Sequence, residues 1–288
     1  MNALRSLPLE RLKSLRLTAS APFRSRVQGE WTAKGAGGGM VFEDRRPYSP
    51  GDDLRRVDWR AAARADRVLV KRTQAESAMT ALLLIDASLS MTAGEPSPFE
   101  SAKRIAYALA FLALRRGDSA AVAAVGSRKP VLYARGRAGL ARLERYLERL
   151  EPAPEANFAR WMRGRGINAF GTIILLSDML LDAEECAEGL KTMAGRGSAA
   201  HLVSRLAEAP EPPAEASVTD IETGESRSVA WNAERSRAYD ARFQAHLSRI
   251  EAECAQKRIR YARLKIEAPI ETLFYQELRA AGIVAEAA

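Results

Sequence analysis

The chain has 288 residues, 47% of them hydrophobic, enough for one large α/β domain, or one domain with a smaller annex, around a sizeable core. Its longest apolar runs, residues 81–85, 105–114 and 172–176, fall well short of the roughly 20 residues that cross a bilayer, so no transmembrane segment is expected. The net charge of +8 is spread along the chain among 36 acids, which favours solvated helix faces over a nucleic-acid footprint.

Residues 1–75 read as an irregular β-containing annex on the main domain. Leu4, Leu7, Leu12, Leu15 and Leu17 are interspersed with basic residues without a continuous apolar stretch, so no export signal is expected. A glycine cluster (Gly35, Gly37, Gly38, Gly39), a run dense in Arg, Asp, Pro and aromatics, and a β-like stretch at 68–72 follow. Across residues 76–288 short apolar runs alternate with helical periodicity, the pattern of a doubly wound, mostly parallel α/β sheet. Strands are predicted at 80–86, 119–125, 131–134, 172–177, 200–206 and 259–266, and helices at 99–116, 138–150, 183–194, 236–256 and 270–281. Alternation on both sides of Thr223-Gly224 predicts a β-hairpin insertion near 217–231.

Cys186 and Cys254 lie far apart and form neither a metal-type nor a redox-type pair, so a reducing, cytoplasmic location is expected. His201 and His246 are too isolated for a zinc cluster and read as ordinary surface or half-buried residues.

Two buried strands end on acids. The first delivers Asp86, followed by Ser88 and Ser90; the second delivers Ser177 and Asp178. In an open α/β sheet ligands bind beyond the carboxyl ends of the strands. A hard cation such as Mg²⁺ takes six oxygen ligands and keeps several waters. Alternate positions 86, 88 and 90 can turn toward one point, and Asp178 on a neighbouring strand supplies the second acid. The competing reading is that Asp86 and the serines cap the following loop or helix.

The triplet Asp86-Ala-Ser88-Leu-Ser90 with Ser177-Asp178 downstream resembles the metal-ion-dependent adhesion site of von Willebrand factor A domains. The chain as a whole resembles the bacterial family called domain of unknown function fifty-eight. Phe42, Arg45 or Arg46, Tyr48, Pro50-Gly51-Asp52-Asp53, Arg55, Asp58-Trp59, Ala63-Arg64 and Val70-Lys71 match its motif, and Asp220, Glu222, Thr223, Gly224 and Tyr239 match a later stretch. The resemblance implies a von Willebrand factor A-like fold, Mg²⁺ or Mn²⁺ on Asp86, Ser88, Ser90 and Asp178, and partnership with a MoxR-type AAA+ ATPase or its client. The fuller adhesion site also has a loop Thr; here Ala156-Asn157 stands in that stretch, so an ion would need an extra water or Asn157 in its place.

The function expected is a non-catalytic, metal-dependent binding adaptor. A metal-dependent phosphohydrolase of the haloacid dehalogenase kind is the first alternative, but it needs an acid two positions after its nucleophilic Asp, where Ser88 stands. Ser90 lacks the glycine elbow of a serine hydrolase. Nucleic-acid binding through a basic surface is the second alternative. In the upstream motif the acids interleave with Arg45, Arg46, Arg55 and Arg64, a network expected mainly to anchor the annex. Asp58→Ala and Trp59→Ala are therefore expected to destabilise the chain more than they weaken metal binding, by roughly 3–5 kcal/mol where a buried charge pair is broken. Thermal melts paired with metal titrations check this, and variants that melt like the parent yet lose partner binding would make the motif a docking face.

Overall fold

The structure, a computed structural model, describes residues 4–19, 40–48, 62, 68–75, 79–154, 157–163, 169–208, 210 and 212–287. The chain divides into two units, one made of Met1–Pro22 with Met79–Ala288 and the other of Phe23–Ala78. Strand β1 is Leu15–Leu17; β2 (Met40–Pro47) and β3 (Leu69–Ala75) form an antiparallel pair within the second unit, with a bulge between Phe42 and Asp44.

The main sheet is built from β4 (Thr80–Asp86), β5 (Ser119–Val125), β6 (Leu132–Arg135), β7 (Thr172–Ser177) and β8 (Gly197–Val203). After a hairpin of β9 (Glu215–Thr219) and β10 (Ser226–Ala230), β11 (Arg260–Lys265) completes it, and β12 (Val284–Glu286) lies near the end of the chain. The strand order is β11-β8-β7-β4-β5-β6, with β6 antiparallel and the others parallel. Chain order therefore reverses between β4 and β7, where a doubly wound sheet opens its crevice.

Both faces of this sheet are covered, which is why its strands are continuous apolar runs. Ala81, Leu83 and Ile85 join the layer shared with α1 (Pro98–Arg115), where Ile105, Leu109 and Leu112 are buried. That helix starts where Ser97 accepts the Glu100 amide and Pro98 takes the first turn. Leu82 and Leu84 join the opposite layer, with Phe158 of α3 (Phe158–Met162), Leu190 of α4 (Ala183–Thr192) and Ile250 of α6 (Ala233–Gln256). Helix α2 (Gly136–Glu148) packs beside α1, and α5 (Arg205–Glu208) follows β8. Cys186 and Cys254 are free and buried in the second layer.

Several boundaries differ from expectation for local reasons. Strand β8 stops at Val203 because Ser204 accepts the amides of Ala207 and Glu208 and opens α5. Helix α6 begins at Ala233, earlier than expected, because Asn232 caps it by accepting the Arg235 amide. Helix α3 was not signalled by periodicity.

The division of the chain also differs. Residues 4–19 do not belong with an annex spanning 1–75: the five spaced leucines are buried in the α1 layer, and β1 pairs antiparallel with β12. Thr18 secures the clasp through Oγ1 to the Ile283 carbonyl, and Arg260 Nη1 donates to Thr18 Oγ1 at 2.9 Å.

Gly189 lies in α4, where a Gly to Ala change ordinarily gains about 1 kcal/mol of helix propensity. Here a Cβ would stand 2.1 Å from the ring of Phe158, which is fully buried. Overpacking a filled core costs about 1–3 kcal/mol, and with a clash this close the upper end applies, so Gly189→Ala is expected to lose up to about 2 kcal/mol net by urea denaturation. A variant as stable as the parent would show that the ring can move aside.

Candidate functional site at the strand ends

The reversal between β4 and β7 places the last residue of each strand side by side. Asp86 ends β4 and is 2% exposed. Its Oδ2 accepts the Ser177 hydroxyl at 2.6 Å and its Oδ1 accepts the Ser88 amide at 2.9 Å. One carboxylate thus ties the end of β7 to the loop leaving β4. In that loop the Ser88 and Ser90 hydroxyls meet at 3.0 Å. The tight turn Ser90–Thr92 then buries Met91, whose Sδ receives the Asp178 amide.

Asp178 completes the group, 7% exposed. Its Oδ1 accepts the Leu180 amide at 3.1 Å, whereas Oδ2 is buried with no hydrogen-bond partner. Burial, and then the charge of Asp86, push the Asp178 carboxyl up to about 7; the Leu180 amide and the nearby Ser90 hydroxyl offset this incompletely. The following residue, Met179, is buried in the left-handed region at φ 56, which turns the chain sharply away from the site.

Two further acids stand close. Glu222 from the hairpin accepts the Ser90 amide at 2.7 Å, and its charge adds to the shift on Asp178. Glu185 accepts the Phe158 amide, and burial together with the nearby Asp86 charge raises its carboxyl. No Lys or Arg ion pair to Asp86, Asp178, Glu185 or Glu222 occurs among the described residues. Nor is a metal cluster of three or more His, Cys, Asp or Glu side chains gathered there. The donor set is two carboxylates with the hydroxyls of Ser88 and Ser90.

Asn157, the residue expected to replace the loop Thr, has its side-chain oxygen engaged by the backbone. That oxygen caps α3 by accepting the Arg160 amide at 2.7 Å. The adjoining stretch still reaches the site, since the Ala153 amide bonds the Ala87 carbonyl. Of the upstream motif, Arg45 and Arg46 lie in β2, paired in register with Lys71 and Val70, and the Tyr48 amide bonds the Val68 carbonyl. Gly51, Asp52, Asp53, Arg55, Asp58, Trp59 and Arg64 lie outside the described residues.

His201 is buried, not at the surface. Its Nδ1 lies 2.7 Å from the Tyr261 hydroxyl, and burial with the neighbouring His246 lowers it to about 3. It lines a cavity of about 220 Å³ beside Asp178 and Ser90, walled by Pro98, Leu180, Tyr239 and Phe243. Sequence reasoning missed His201 as a wall of the site and Glu222 as a neighbour of it. Ser177 alone had a local signal, its place directly before Asp178.

Residues 44–250 match the family described as Protein of unknown function DUF58. The chain belongs to that family. Over 127 residues it is 29% identical to Uncharacterized protein Rv1480 of Mycobacterium tuberculosis and to Uncharacterized protein Mb1516 of Mycobacterium bovis, covering 44% of this chain and 38% of each relative. The match thus spans about two fifths of those relatives' length. Among solved structures the chain is similar to the conserved hypothetical protein BatB from Bacteroides thetaiotaomicron, at 16% identity and TM-score 0.38, over 70% of this chain and 98% of that one. It is similar to an aerotolerance-related membrane protein from Bacteroides fragilis at 15% identity and TM-score 0.37, over 70% and 99%. A von Willebrand factor type A structure from Catenulispora acidiphila is similar at 16% identity and TM-score 0.38, over 75% of this chain and 44% of that one. No helix among the described residues is long and apolar enough to cross a membrane.

The two shifted groups make opposite pH predictions. Unfolded Asp178 loses its proton near pH 4 and folded Asp178 near about 7, so the folded state holds the extra proton between them and its stability falls as pH rises through that window. His201, lowered to about 3, works the other way up to its ordinary value of 6.5. In chelator, the stability of the parent relative to Asp178→Asn is therefore expected to decline from pH 4 to 7, by at most about 1.4 kcal/mol per pH unit. Parallel profiles in urea denaturation would refute the buried, protonated carboxyl.

Proposed function

We propose that the chain is a non-catalytic binding adaptor that holds Mg²⁺ or Mn²⁺ on Asp86, Ser88, Ser90 and Asp178 and engages the acidic side chain of a protein partner. The observation that carries this reading is the buried, unpartnered Oδ2 of Asp178, set beside Asp86 and the paired Ser88 and Ser90 hydroxyls. A buried carboxyl oxygen without a donor is costly, and a hard cation is the partner that oxygen donors of this kind select. When bound, the ion would supply a Lewis-acid position for an incoming carboxylate. Ser88, Ser90 and the two acids would hold it.

The partner class, a MoxR-type AAA+ ATPase or its client, rests on the family resemblance. A reducing, cytoplasmic setting accords with two free, buried cysteines. The adaptor reading assigns Asp178, whose carboxyl is raised to about 7, to the ion and not to proton transfer, and the neighbouring histidine supplies no second base. His201 is held near 3 and is already hydrogen-bonded to Tyr261. Position 88 carries a hydroxyl turned to Ser90, not the acid a phosphohydrolase needs.

One feature favours the basic-surface alternative. A groove of about 410 Å³ at the β6 edge is lined by Lys129, Arg142, Arg145 and Arg149. Nucleic-acid binding there would weaken steeply with salt, whereas binding through the strand ends would follow Mg²⁺.

Calorimetry with Mg²⁺ and Mn²⁺ is expected to show modest affinity in the parent and none in Asp178→Asn, which keeps the shape of the side chain. Affinity purification with the intact protein should retain a partner that chelator or Asp178→Asn releases. Mg²⁺-dependent hydrolysis of a phosphate ester that disappears in Asp178→Asn would overturn the adaptor reading.

A further inference from the structure

The hairpin β9–β10 forms a separate two-stranded sheet between β8 and β11 in the chain, and the proposed function leaves it without a role. Most of its side chains are exposed, and two-stranded ribbons are marginally stable alone. It is nevertheless anchored at both ends. At its base the Trp231 amide bonds the Ala214 carbonyl, and Trp231 meets Tyr239, which stacks on Phe243. The Tyr239 hydroxyl bonds the Ala207 carbonyl at 2.6 Å.

The tip is more ordered than a solvent loop requires. Asp220 Oδ1 accepts the amides of Glu222 and Thr223, which holds its carboxyl below the usual range. Gly224, at φ 75, returns its amide to the Asp220 carbonyl. This turn fixes the backbone of Glu222 and sends its carboxylate to the Ser90 amide, 132 residues away in sequence. The contact falls on one of the residues assigned to the ion, beside the unpartnered oxygen of Asp178.

We propose that Glu222 is the site's own carboxylate: the hairpin lays it over the strand-end face, where it stands in for the partner's acid and must withdraw before that acid binds. The inference rests on the adaptor reading. It gives a role to a hydrogen-bonded turn that carries an exposed glutamate. Swinging out costs one exposed hydrogen bond to an amide, a modest net loss. A partner of modest affinity can supply that.

The test uses the full chain, with Mn²⁺ as the metal and N-acetylglutamate amide as the carboxylate probe. Parent, Glu222→Ala, Glu222→Gln and Asp178→Asn are compared by calorimetry and by water-proton relaxation of bound Mn²⁺. Both Glu222 variants are expected to bind Mn²⁺ more weakly than the parent, to show higher relaxation, and to take the probe at about tenfold lower concentration, a difference of about 1.4 kcal/mol. Equal probe affinity in parent and Glu222→Ala, with Mn²⁺ bound by both, overturns the role of Glu222 and leaves the metal reading standing. Weaker Mn²⁺ binding in Glu222→Ala without a gain for the probe makes Glu222 a supporting ligand and also overturns it. No Mn²⁺ binding in any form removes the adaptor reading, and this inference with it.

Discussion

The architecture depends on burying one carboxylate at the point where the strand order reverses. Asp86 sits almost out of contact with water, and an isolated charge there would be prohibitively costly. Its two oxygens are met by a hydroxyl from β7 and an amide from its own loop, so the same bonds that make the charge tolerable join the two halves of the sheet. Asp178 then enters a place where the donors are already taken. One of its oxygens is left buried without a hydrogen-bond partner, and the proposed cation site is built on that oxygen.

Further ionisable groups surround this pair of acids. Acids approach from the helix side at Glu185 and from the hairpin at Glu222, while His201 is kept neutral by burial and by its neighbour. The adjoining cavity is mostly apolar, walled by Pro98, Leu180, Tyr239 and Phe243. The face therefore has a polar centre and an apolar flank, and under the proposed function the flank would receive the residue next to the partner's acid. Such a flank would add selectivity to an ion that any exposed carboxylate could otherwise reach.

Much of this was legible in the residues and some was not, for physical reasons. Strands β4, β5 and β7 fall where expected because burial on both faces forces unbroken apolar runs, a signal no loop imitates. The strand-end acids were legible because each directly follows such a run. Strands β1 and β12 are three residues each and carry no period to read; only their pairing across the length of the chain makes them strands. The leucines before β1 were placed in the annex because nothing local shows that they pack against α1. His201 looked isolated since its partners, Tyr261 and His246, are distant in sequence. Glu222 was marked by its motif, but nothing local connects it to Ser90.

The two buried cysteines carry a consequence of another kind. Cys186 is pushed up to about 11 and Cys254 to about 12, chiefly by burial, so neither forms appreciable thiolate at neutral pH while the chain is folded. Both lie in the layer beneath α4 and α6. An alkylating reagent can therefore reach them only when that layer opens, and the rate at which they are labelled becomes an intrinsic clock for the opening of one face of the sheet.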